Sequence, residues 1–110
     1  MKHINYLDEP PEKITETGAH GAEIRWVLGE KDGVPNFYMR VISFEPGGAS
    51  PHHSHPWEHE TFILSGQGTL EVDEKTVKLA PGDVAYVPPN AVHCFRATES
   101  MEMLCLIPRV

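Results

Sequence analysis

The chain is short of several things, and each shortage narrows what it can be. Only two cysteines occur in 110 residues, Cys94 and Cys105. That is too few for a disulfide framework, and neither stands in the CxxC spacing of a zinc or redox motif, so both are expected as free thiols. Positive charge is scarce as well: nine Lys and Arg against sixteen Asp and Glu give a formal net charge of -7. That balance leaves no cationic face for phosphate and predicts no nucleic-acid partner. No apolar run approaches the ~20 residues of a membrane span, and the opening "MKHINYLDEPPEK" has no apolar signal core. A cytoplasmic protein without a membrane partner is the expectation. Helical periodicity of ordinary length, internal repeats and low-complexity blocks are all missing. The length suits one modest core, hence a single domain over 1–110 with an N-terminal extension at 1–20.

What is present is a succession of short β-prone segments. "AEIRWVLG", "NFYMRVISFE", "ETFILSG", "GTLEVD", "KTVKLA", "DVAYV", "AVHCFRA" and "MEMLCLI" are each rich in branched or aromatic residues, and ten prolines and nine glycines are scattered among them as punctuation. This pattern predicts an all-β antiparallel sandwich or barrel. "NFYMRVISF" and "MEMLCLI" are apolar on both alternating faces for much of their length, which suggests a second covered face at a dimer interface.

The segment "HHSHPWEHE", His52 to Glu60, holds four of the seven histidines. In an extended chain His53 and His55 point the same way, close enough to grip one ion, while His52 and Ser54 face away. Either His59 or Glu60, but not both, can join that pair once the strand resumes after "HPWEH". "PPNAVHCF" offers His93 as a ligand from a distant part of the chain. Neutral imidazole is a common ligand of first-row metals.

The pattern Gly47, five residues, His53, one, His55, three, His59, six, Gly66 resembles the first motif of the cupins, with histidine in place of the usual glutamate. Gly82, five residues, Pro88, then His93 after "PNAV" resembles the second motif. Asn90 stands where a glycine is usual and Ala97 where an asparagine is usual; neither replaces a ligand. The resemblance covers about Gly21 to Pro108 and is sharpest at "PNFYMR", "EPGG", "HSHPWEHE" and "LCLIP". It implies an RmlC-like cupin β-barrel (a double-stranded β-helix or jelly roll), with both motifs in a conserved barrel at 41–107. It further implies one divalent metal held by His53, His55, His59 and His93, His59 being preferred over Glu60. By resemblance to the small four-histidine cupins that metal is manganese, and the chain forms a homodimer; by donor chemistry alone iron, nickel, copper or zinc also suits.

Four neutral donors leave the charge of a divalent ion uncompensated, so the site should attract an anionic substrate. If the ion is octahedral, two positions remain open. A closed zinc tetrahedron would instead be structural. His93 should share its face with Phe95, and the resemblance places Met103 and Cys105 on the cavity side. Arg40 and Ile42 alternate into the same barrel, Arg40 either serving an anionic substrate or closing a salt bridge at the rim. Cys94 is read as a buried small hydrophobe, Trp57 as packing its turn, Glu58 and Glu60 as surface groups, and His3, His20 and His52 as surface histidines. Three functions follow, in order: a metal-dependent oxygenase of a small organic molecule, a non-catalytic binding or sensing module, and an isomerase. The isomerase ranks last because no spare inward-facing base is evident.

Overall fold

The computed structural model describes all 110 residues. Nine strands follow in chain order: β1 (Glu12–Lys13), β2 (His20–Leu28), β3 (Phe37–Ala49), β4 (His59–Ser65), β5 (Gly68–Val72), β6 (Lys75–Leu79), β7 (Val84–Val87), β8 (His93–Ala97) and β9 (Met101–Pro108). The only helical pieces are single 3₁₀ turns at Tyr6–Asp8 and Glu30–Asp32. Every pairing is antiparallel, and the path β6-β5-β8-β3-β9-β4-β7 curls into a barrel, with β2 on the other side of β3 and β1 on β2. None of its helices is long and apolar enough to cross a membrane.

Strand β3 organises the barrel because it changes partners along its 13 residues. Phe37 to Phe44 pair with Pro108 to Met101 on β9, whereas Ala49 pairs with Arg96 on β8. The corner between the two halves is Pro46-Gly47-Gly48. Gly47 adopts φ +79, a left-handed conformation that costs a side-chain-bearing residue energy. A Cβ on Gly48 would sit 2.4 Å from the Gly21 carbonyl oxygen, so the close passage of β2 over this corner requires glycine.

Alternation along the strands sets the core. β9 buries Met101, Met103, Cys105 and Ile107 and leaves the residues between them half-buried. Ile42 and Phe44 from β3, Ile63 from β4, Leu70 from β5, Phe95 from β8 and Ala22 and Ile24 from β2 meet Met101, Met103 and Cys105 in one cluster of 14 buried residues. Ile42, Phe95, Met103 and Cys105 of this cluster also line a cavity shared with the loop that carries the histidines.

The N-terminal residues are not a loose tail. Glu12 and Lys13 pair with Ile24 and Glu23 on β2, Ile14 packs against the core, and Tyr6 Oη donates to Glu102 at 2.8 Å. The sequence pattern gave no strand here, because two residues are too few to show a period.

Candidate metal centre

Three local features gather the imidazoles. The loop after β3 lies against the start of β8, where His53 N–H donates to the His93 carbonyl at 3.2 Å and His93 N–H donates to the His53 carbonyl at 2.9 Å. Asn90 N–H donates to the His55 carbonyl at 2.8 Å, tying the proline-rich turn to the same loop. Asn90 itself has φ +68; asparagine tolerates this region better than most residues, which accounts for its standing where the motif usually has glycine. Finally, β4 opens on His59, which turns inward and is 6% exposed, while Glu60 points out to solvent.

One ring nitrogen from each of His53, His55 and His93 lies within 4.8 Å of the others, close enough to hold one ion. His59 adjoins this trio through a 2.9 Å approach of its Nε2 to Nε2 of His55, and its ring centroid is 4.9 Å from that of His93. The Nδ1 partners distinguish the four rings. His55 Nδ1 donates to the Trp57 carbonyl at 3.3 Å, His93 Nδ1 to the Ala91 carbonyl at 2.9 Å, and His53 Nδ1 to a Glu16 carboxylate oxygen at 2.5 Å. Carbonyls and carboxylates only accept, so in a neutral ring the proton sits on Nδ1 and the Nε2 lone pair faces the cluster. His59 differs: its Nδ1 meets Arg40 Nη2 at 3.1 Å and Cys105 Sγ at 3.2 Å.

Burial, reinforced by the Arg40 guanidinium and the other imidazoles, pushes His59 down to about 2. Burial likewise lowers His93 and His55. These three rings are therefore neutral near pH 7, the form that binds metal. The donor set fits a divalent transition ion. Metal–nitrogen bonds of about 2.0–2.1 Å place adjacent octahedral corners roughly 2.9 Å apart and tetrahedral ones roughly 3.3 Å apart. At 2.9 Å, the His55–His59 separation is short enough for both rings to reach one ion.

A cavity of about 710 Å³ opens over the cluster. Arg40, Ile42, Phe95, Met103 and Cys105 all line it. Arg40 differs from a rim ion pair: it is 8% exposed, has no carboxylate within salt-bridge distance, donates through Nη2 to Cys105 Sγ at 2.9 Å, and keeps a buried Nε without a partner. Its guanidinium carbon lies 5.3 Å from the Trp26 ring centre, so the charge rests on an aromatic face. Trp57 does more than pack its turn, since it stacks on His55 with centroids 4.3 Å apart and planes 9° apart and lines the cavity.

Cys94 is buried and faces away, donating to the Ser50 carbonyl. His52 is exposed beside Glu71 at 3.5 Å, and His20 contacts the Gly47 carbonyl at the surface. Among the lining residues that the sequence did not assign to the pocket are Trp26, Trp57 and Glu16. Trp26 was within reach, because it alternates with Ala22 and Ile24 on the core face of β2. Glu16 left no signal, because only the path of the N-terminal segment brings it to His53.

Comparison with known proteins agrees with this architecture. Residues 40–107 match the family model described as a cupin domain. The quercetin 2,3-dioxygenase of Bacillus subtilis is 44% identical over 78 residues, covering 69% of this chain and 23% of that protein. The acireductone dioxygenase of Bacillus thuringiensis is 28% identical over 85 residues, covering 73% of this chain and 47% of that protein. The chain thus spans between about a quarter and a half of the length of these two relatives. Among solved structures, the polyketide cyclase RemF from Streptomyces resistomycificus superposes with a TM-score of 0.91 at 28% identity, covering 98% of this chain and 79% of that one. With an antiparallel barrel, a histidine cluster lining its cavity and a family match over more than half its length, the chain belongs to the cupin family.

Proposed function

We propose that this cupin is a metal-dependent oxygenase of a small, anionic or enolisable organic molecule. His53, His55, His59 and His93 would hold one divalent transition ion, manganese being the first candidate by resemblance. A bound ion of this kind supplies Lewis acidity and open positions for substrate and dioxygen. The observation that carries the reading is the set of four imidazoles converging along the 710 Å³ cavity, three of them with Nδ1 held by acceptors. Support comes also from two relatives whose names are those of dioxygenases.

The protein's own groups bias what enters. Arg40 is a buried cation with no carboxylate partner, and an unpaired buried charge is costly until an anion arrives. Phe95, Ile42 and Met103 supply an apolar wall, so the favoured ligand has one negative end and an unsaturated or aromatic body. Trp57, stacked on His55, restricts the ring of that histidine and offers the substrate a flat surface.

Likeness to a polyketide cyclase supports a second reading, a ring-closing or isomerising reaction without dioxygen at the same centre. Oxygen uptake separates the two. Manganese- or iron-loaded protein tested against diketones, catechols and styrene-like alkenes should consume oxygen with at least one of them. Turnover without oxygen uptake favours the second reading, and ligand binding without turnover makes the chain a binding module.

The outer sheet face supports a homodimer. Phe62 and Leu64 of β4 and Val84 and Tyr86 of β7 are 43%, 43%, 74% and 58% exposed, and Phe62 pairs in register with both Val84 and the half-buried Leu104. A second copy would cover this apolar face.

A further inference from the structure

The partners at Nδ1 of the three clustered histidines come from different places. His55 and His93 use carbonyls two residues away, those of Trp57 and Ala91, so their orientation is built into their own turns. His53 has no such local acceptor. Its partner is Glu16, 37 positions earlier, outside the 40–107 segment that matches the family. Glu16 is also the only carboxylate hydrogen-bonded to any of the four site imidazoles.

We infer that Glu16 is a positioning residue for the metal centre, and that through it the N-terminal segment is coupled to metal binding. The inference rests on the metal-centre reading above and adds a residue and a coupling to it. Two physical effects act together. As an acceptor, the carboxylate keeps the proton on Nδ1 and aims the Nε2 lone pair of His53 into the cluster. As an anion one ring away, it makes that imidazole a better donor and offsets part of the charge that four neutral ligands leave uncompensated.

Glu16 is held in place by its neighbours. Glu12 and Lys13 are paired with β2, Ile14 N–H donates to the Ala22 carbonyl at 3.1 Å, and Ala19 N–H closes a turn on the Glu16 carbonyl at 3.0 Å. The turn continues through Gly18 at φ +93, and Ile14, Thr15 and Glu16 all line the cavity beside His53 and Pro51. The segment is thus an edge of the cavity mouth, fastened to the cluster by one charge-assisted hydrogen bond. Linkage makes the effect reciprocal: whatever Glu16 adds to the hold on an ion, a bound ion adds to the hold on the segment.

The test uses the full chain, with Mn(II) and Zn(II) as probes titrated in competition with a chelator, and amide exchange followed with and without each metal. Glu16→Ala should weaken binding by about 10–100-fold, with Glu16→Gln falling between it and wild type. Glu12→Gln, which removes the same charge from an exposed position in the same segment, should bind as wild type does. Exchange at Ala19 should slow on metal loading of the wild type and stay unchanged in Glu16→Ala. The inference is overturned, with the metal centre left standing, if Glu16→Ala binds within twofold of a metal-binding wild type. It is overturned equally if Glu12→Gln weakens binding as much, or if exchange at Ala19 responds alike in both proteins. A wild type that binds neither metal overturns both readings.

Discussion

Arg40 and His59 are joined by a 3.1 Å hydrogen bond in which the guanidinium donates and Nδ1 of the imidazole accepts. A neutral His59 then carries its proton on Nε2, pointing at Nε2 of His55 2.9 Å away, the opposite tautomer to that of the other three rings. Ligation through Nε2 requires that proton to move to Nδ1, where Cys105 Sγ at 3.2 Å is the available acceptor. Arg40 therefore opposes metal binding twice, by tautomer and by charge. Arg40→Met keeps the packing of the stem and removes both effects. It is expected to raise affinity for Zn(II) by about tenfold, or ~1.4 kcal/mol, while weakening anionic ligands. Isothermal titration checks both, and a loss of metal affinity in Arg40→Met would contradict the assignment.

His59 and Glu60 are neighbours on opposite faces of β4, one buried and one exposed. His59→Ala should lower metal content and remove oxygen uptake, whereas Glu60→Ala should leave both unchanged. Metal analysis of the two purified variants is sufficient. Equal loss in both would mean that strand parity does not decide the ligand.

The lowered histidines fix the sign of the pH response. Because His55, His59 and His93 titrate below 6.5 in the fold, the ion-free folded chain binds fewer protons than the unfolded chain at acidic pH. Their contribution to stability is complete above about 6.5 and is lost as pH falls, over a window reaching down to about 2 for His59. Glu60 opposes this trend: desolvation and the neighbouring Glu58 raise it to about 7, so its contribution diminishes as pH rises from 4.5 toward 7. Urea midpoints of ion-free Glu60→Gln should therefore fall more steeply from pH 6.5 to 4.5 than those of wild type. A flat profile in that variant contradicts the assignment. With metal bound, release on acidification should have its midpoint below 6.5, since protons compete poorly for buried rings.

Much of this was legible in the chain because β alternation has a strict period. Each strand-like segment quoted from the sequence overlaps an observed strand, and the parity that turns His59 inward also puts Met103 and Cys105 on one face of β9. Spacing alone left His59 and Glu60 as alternatives; the resemblance preferred His59. What the sequence concealed depends on contacts between distant segments. Arg40 reads equally well as a rim cation or a buried one, and only the positions of Trp26, His59 and Cys105 around it separate the two. Trp57 lies in a loop, where no period applies, and its stacking on His55 follows from the path of that loop. Glu16 reaches His53 through a two-residue strand too short to leave a pattern.

The exposed face built by Phe62, Leu64, Val84 and Tyr86 predicts association. Sizing chromatography should give a species of about twice the 12.3 kDa chain mass, and Phe62→Glu with Val84→Glu should shift it to one chain. A wild type that elutes at 12.3 kDa contradicts the dimer.

The central claim is that four neutral imidazoles surround a divalent ion without completing its coordination. X-ray absorption on Mn-loaded protein tests this most directly. The account predicts six-coordination with four imidazole nitrogens from His53, His55, His59 and His93 and two exchangeable oxygen ligands. A closed four-coordinate centre, or the absence of imidazole scattering around the metal, would contradict it.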